Sequence, residues 1–292
     1  MQDGLSILNS FVEAINNKVD LSNPVILADF MKSYSDMTVY KDHHKNLAEK
    51  NDGEQNLDSL LFLRLLLQDV SHYIYGNQEE IKKTHQYRLG AIGKISLRLG
   101  EITDENLVLL RHGFGTSVVS NLRLMLECYA IARYLMECDD VESDRFQDYG
   151  IVQECRMRKT NAREKLEKKN YEDDFYNSKS EYAWISDGSI KTPTDLMKRL
   201  GDENMNDWYK FYCKYVHASP YSCGKVHQMN QALVIDDNVY IPMGMENLVQ
   251  QNKLYLTLFI GLLADNFILD KTIGELFKKL SELIYSFKKE TL

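Results

Sequence analysis

Proline and glycine are scarce in this chain, 4 and 15 of 292 residues. Glycine falls below its usual share of about 7%. An all-β protein of this size needs many tight turns, so the shortage argues for helices. Basic charge is not in excess either. Lysine and arginine number 35 against 43 aspartates and glutamates, a net charge of −8. That excludes the global positive field of a general nucleic-acid binder, though not a local basic patch. The five cysteines, Cys128, Cys138, Cys155, Cys213 and Cys223, are odd in number and scattered, with no Cys-x-x-Cys pair. They read as reduced thiols rather than a disulfide framework or a zinc ribbon. A long apolar run is also missing. The best stretch, 254–269, is broken by Asp265 and Asn266 and is shorter than the ~20 residues that span a bilayer. The opening residues lack a basic signal-peptide region. Together these features predict a cytoplasmic protein with no membrane segment and no cofactor.

Helical periodicity is what the sequence has in quantity. Leu5, Leu8, Phe11, Val12 and Ile15 form an apolar stripe. Asn23 followed by Pro24 reads as a cap and first turn. Residues 57–77 are apolar almost all round, which predicts a central helix. Further helices are expected over 79–102, from a cap at Thr103 or Asp104 to Cys138, and over 141–170, with Gly113 and Gly115 as a break or close contact. Residues 171–195 read as loop, followed by a short helix, a break at Gly201, and a helix ending near His217 before Pro220. Two helices, 245–270 and 272–290, close the chain. The strand signal is QALVIDDNVYIPMG, with a turn at Asp236-Asp237-Asn238. The expected fold is therefore all-α, a multi-helix bundle with one small β-hairpin near residues 231–242. Residues 1–56 read as an N-terminal helical extension and 57–292 as the main helical domain, or the whole as a single domain.

Arg123 and Glu127 stand four apart on an apolar helix and share one face, with Ser120 alongside. A half-buried ion pair is costly unless both partners are satisfied. It reads either as a lock between helices or as a pocket in which Arg123 binds an anion and Glu127 orients it or acts as base. Arginine suits phosphate or carboxylate because its planar fork donates two parallel hydrogen bonds. His217 can serve as an acid–base group near neutral pH, or simply complement the dipole at a helix C-terminus. Cys213, His217, Cys223 and His227 do not reproduce a common zinc spacing. Asp42-His43-His44 reads as solvated surface, so no metal site is assigned. The run 156–169 is basic, and Arg156, Lys159 and Arg163 are candidates for an RNA-facing surface or members of a solvated helix face.

Three pieces of the chain resemble an uncharacterised bacterial helical family, domain of unknown function 5677. They are Ser120, Arg123 and Glu127 in SNLRLMLECYAIARYL; Arg145 and Tyr149 in DRFQDYGIVQECRM; and YKFYCKYVHASP. The resemblance implies a polar cleft where the Arg123/Glu127 helix meets the His217 helix end. Arg145, Tyr149, Tyr215 and Ser219 would be its ligand-binding residues. A more distant similarity is to the HEPN ribonucleases, all-helical proteins of toxin–antitoxin and phage-defence systems. It implies metal-independent RNA cleavage by His217 with Arg123 and Glu127, and a homodimer. The family places an arginine four to six residues before its histidine. Here that window, Phe211 to Val216, holds none. Two functions are therefore expected: a defence- or toxin-type ribonuclease acting on RNA, or a non-catalytic helical sensor or interaction module. In the second, the Arg/Glu/His cluster binds a small anionic ligand or only locks helices together.

Overall fold

The computed structural model describes residues 12–14, 16–17, 19, 21, 23–35, 54–112, 114–216, 226–229, 232–235 and 245–286. In chain order the elements are α1 Pro24–Ser35, α2 Glu54–Gly76, α3 Gln78–Ile81, α4 Gln86–Arg111, α5 Gly115–Glu137 and α6 Asp140–Arg158. Then come α7 Ala162–Lys165, α8 Asp173–Asn177, α9 Pro193–Arg199, α10 Glu203–Val216, β1 Val226–Met229, β2 Ala232–Ile235, α11 Met245–Phe267 and α12 Lys271–Ser286. The all-α class stands. The hairpin expected near 231–242 is not seen. The short antiparallel ladder among the described residues pairs Val226 with Ile235 and Met229 with Ala232, in a register ahead of Asp236-Asp237-Asn238. The β-favouring run was therefore assigned to the wrong partner and turn, and residues 236–244 lie outside the described residues.

Helix α2 is the buried centre that its apolar circumference predicts. Leu60, Leu63, Leu66 and Val70 are fully enclosed, and the helix packs against α1, α4, α11 and α12. Helix α5 is the second hub, lying against α4, α9, α10 and α11. It buries Val118, Leu122, Met125, Leu126 and Ala130 on its inner stripe. One continuous apolar core runs from Ala14 to Ile284.

Helix ends depart from the sequence expectation in three places, the first being that the helix expected over 79–102 is two, Gln78–Ile81 and Gln86–Arg111. Thr103 and Asp104 do not start a helix. They lie within α4, where the Thr103 hydroxyl donates to the Leu99 carbonyl and Asp104 pairs with Arg64. The chain breaks instead between Arg111 and Gly115. The long helix expected over 141–170 stops at Arg158, because Lys159 adopts a left-handed conformation (φ 56°) that turns the chain. At the front of α1 the expectation holds: the Val25 amide donates to the Asn23 side chain. Asp139 caps α6 by accepting from the Glu142 amide, and Thr192 with Asp195 makes a reciprocal capping box on α9.

Candidate functional site

The i, i+4 pair predicted from sequence is formed. Arg123 Nε donates to Glu127 Oε1 at 2.8 Å, with the side chains 24% and 19% exposed. It lies in the seam between α5 and α10. The Arg123 guanidinium rests over the Tyr209 ring, 5.2 Å from its centroid, and the Tyr209 hydroxyl is a hydrogen-bonding neighbour of Glu127. Cys213, one turn further along α10, adds to the electrostatic surroundings of Arg123. Tyr182, from the segment between α8 and α9, is near enough to feel both charges.

The two helices run antiparallel. Arg133 Nη2 donates to the Leu200 carbonyl, and its guanidinium faces Asp202. Ten residues earlier on α5, Arg123 faces Tyr209 and Cys213.

The partners respond differently to this enclosure. Burial weakens the Arg123 charge, but Glu127, Tyr209 and Cys213 outweigh it, and its pKa lies above the ordinary value. Burial raises the Glu127 carboxyl, and the opposing pull of Arg123 and Tyr209 does not fully restore it. The pair is thus cohesive on its arginine side and costly on its glutamate side. Burial also raises Tyr209 and Tyr182, with Glu127 adding to both, so each stays a neutral donor. The neighbouring Cys128 thiol is pushed up to about 12, chiefly by burial, and is a poor nucleophile.

One feature of Arg123 decides its chemistry. Its Nε is spent on Glu127, while Nη1 and Nη2 have no hydrogen-bond partner among the described residues. Two further donor groups thus stand beside the ion pair, in a side chain a quarter exposed.

The rest of the expected site is dispersed. Arg145 is buried on α6 and packs against the paired rings of Tyr171 and Phe175, each 5.1 Å away. It donates to the Trp184 carbonyl at 2.8 Å and to both oxygens of Glu172. Tyr149 donates to the Ser180 carbonyl at 2.6 Å. These are anchors for the 171–185 segment, not walls of the Arg123 seam. Tyr215 is buried against Phe211. Arg156 lies over the Tyr149 ring and donates to the Tyr149 hydroxyl and the Tyr176 carbonyl. Arg163 lies 4.4 Å over Tyr176 and pairs with Asp173. Two of the three cations expected to face RNA are thus engaged within the protein, and Lys159 serves as a helix terminus. His43, His44, His217, Ser219 and Cys223 lie outside the described residues.

Residues 89–232 match a family of unknown function, DUF5677. The DUF5677 match takes in just under half the chain, from within α4 to the start of β2, and contains Arg123, Glu127, Arg145, Tyr149, Tyr209 and Cys213. No curated protein and no solved structure matches the chain. The neighbour of the pair that the DUF5677 resemblance did not point to is Tyr182. Tyr182 sits in a segment with no periodicity, and nothing local marks it.

Proposed function

We propose that this protein is a helical binding module that takes a small anionic ligand on Arg123. The observation that carries this is the pair of Nη groups, without a hydrogen-bond partner among the described residues, on a guanidinium whose orientation is already fixed by Glu127 and Tyr209. A pre-aimed planar fork accepts a carboxylate or phosphate oxygen pair with little rotamer cost. The test is calorimetric titration of the purified chain with inorganic phosphate and with butyrate. Wild type should bind at least one of them, and Arg123→Gln should lose roughly tenfold or more in affinity, as expected for a charged hydrogen bond. Equal binding by the variant overturns the assignment.

A second reading keeps the ribonuclease of HEPN type, within a defence or toxin setting. It is favoured by one sequence fact: Tyr209 and Cys213 are four apart, and His217 is the next residue in that spacing. It is disfavoured by the engagement of Arg156 and Arg163 within the protein. Incubation with cellular RNA in EDTA, wild type beside His217→Ala, separates the two. Intact RNA with folded wild type eliminates the nuclease; cleavage that the substitution abolishes establishes it.

A further inference from the structure

The seam between α5 and α10 also holds an acceptor in need of a donor. Asn206 is 9% exposed, and its Oδ1 is buried without a hydrogen-bond partner among the described residues. Such an orphan costs free energy comparable to a lost hydrogen bond, so native structures rarely keep one without a use. Its direction follows from helix geometry. Asp202, Asn206, Tyr209 and Cys213 recur at i, i+4, i+7 and i+11, one stripe of α10 and the residue before it. Asp202 faces Arg133 of α5, and Tyr209 and Cys213 face Arg123 of α5. Asn206 therefore lies in the same seam. Since the helices are antiparallel, it falls alongside the stretch between Arg123 and Arg133, where Glu127 stands.

The seam thus presents the Arg123 fork beside the Glu127 carboxylate at one end, and a second acceptor, Asn206 Oδ1, toward the other. A plain anion satisfies only the first. It also meets the Glu127 charge, with the Glu181 carboxylate nearby. A molecule carrying its own positive N–H donors satisfies both ends and offsets the acidic charge. Asn206 and Tyr209 are three residues apart, which at 1.5 Å per residue places the two ends roughly 5 Å apart along the helix. We propose that the seam receives a small zwitterion, its anionic group on the Arg123 Nη fork and its ammonium on Asn206 Oδ1 and Glu127. This rests on the anion-binding reading of Arg123 and adds the second half of the ligand.

The experiment titrates the full chain with γ-aminobutyrate, bracketed by β-alanine and 5-aminovalerate, against butyrate, butylamine and inorganic phosphate. At least one amino carboxylate should bind roughly tenfold or more tightly than butyrate or butylamine, the factor expected for an added charge-assisted hydrogen bond. Asn206→Leu should erase that preference. It should not lower the melting temperature, because it replaces an unsatisfied buried acceptor by an apolar group of similar size. Glu127→Gln should weaken the amino carboxylate and strengthen butyrate. Should Asn206→Leu fail to fold, Asn206→Asp keeps the acceptor and should retain the preference. If butyrate or phosphate binds as well as every amino carboxylate, the zwitterion is wrong and the anion reading stands. If no probe binds wild type, both fall.

Discussion

Arg123 and Arg145 are arginines on consecutive helices, each over an aromatic ring, and their surroundings separate their work. Arg145 is fully committed, with its nitrogens on Glu172, Trp184 and the neighbourhood of Glu142, and two rings packed against it. Its replacement by methionine should cost about 3 kcal/mol, since it strands the buried Glu142 and releases the 171–185 segment. Urea denaturation measures this, and a loss below about 1 kcal/mol contradicts the anchoring role. The Arg123 Nη groups have no hydrogen-bond partner among the described residues, so Arg123→Gln should weigh on the proposed binding more than on folding. The two glutamates differ in pH response. Glu172 is held below its ordinary pKa, first by its hydrogen bonds from Arg145, so its contribution is present at neutral pH and lost as pH falls below the ordinary glutamate range. Burial raises Glu127, so the folded state holds its proton more tightly than the unfolded chain. Its charge therefore costs stability above the folded pKa, and that cost is relieved on acidification. Wild type minus Glu127→Gln, followed by denaturation between pH 4 and 7, should show wild type gaining on the variant as pH drops. At this scale the sequence was informative about Arg123 with Glu127, because four-residue spacing is local. It was uninformative about Arg145, whose partners lie 27 and 39 residues away.

Helices were legible as periodic runs and their ends were not, for a reason that particular termini show. The N-terminus of α4 has His85 at its capping position, yet His85 makes no side-chain cap bond. The Tyr87 and Arg88 amides are instead received by Asp140, from the first turn of α6. A cap supplied from more than fifty residues away leaves no local signature. The end of α6 is the converse case. Lys159 turns the chain in a left-handed conformation that a β-carbon disfavours, where glycine is the usual choice. Lys159→Gly should therefore stabilise the fold by about 1 kcal/mol, readable as a rise in melting temperature. A fall would mean that the lysine side chain itself holds the turn.

Across the whole molecule, three hub helices are joined by amides rather than by apolar contact alone. Asn121 Nδ2 donates to Asn106 Oδ1 at 2.9 Å, Asn106 Nδ2 to Asn252 Oδ1 at 2.7 Å, and Asn252 Nδ2 to the Leu248 carbonyl at 2.7 Å. Asn106 and Asn252 are fully buried, so α4, α5 and α11 register against one another through a chain whose members have no water to fall back on. Asn252→Ala should cost about 2 kcal/mol, by orphaning Asn106 and opening a void. Because the core is continuous, unfolding should remain one transition, coincident by circular dichroism and by fluorescence of Trp184 and Trp208. Polar core residues of this kind are read from sequence as interruptions of an apolar stripe, which is why the network went unseen. The segment Ser180 to Trp184 carries a further consequence. Its carbonyls are held by Tyr149 and Arg145 on α6, and between them Tyr182 is set against the Arg123 seam on α5. That stretch is thus fastened at both ends, and under the proposed binding role association would spare the entropy of ordering it, so that few contacts would retain a ligand of few atoms.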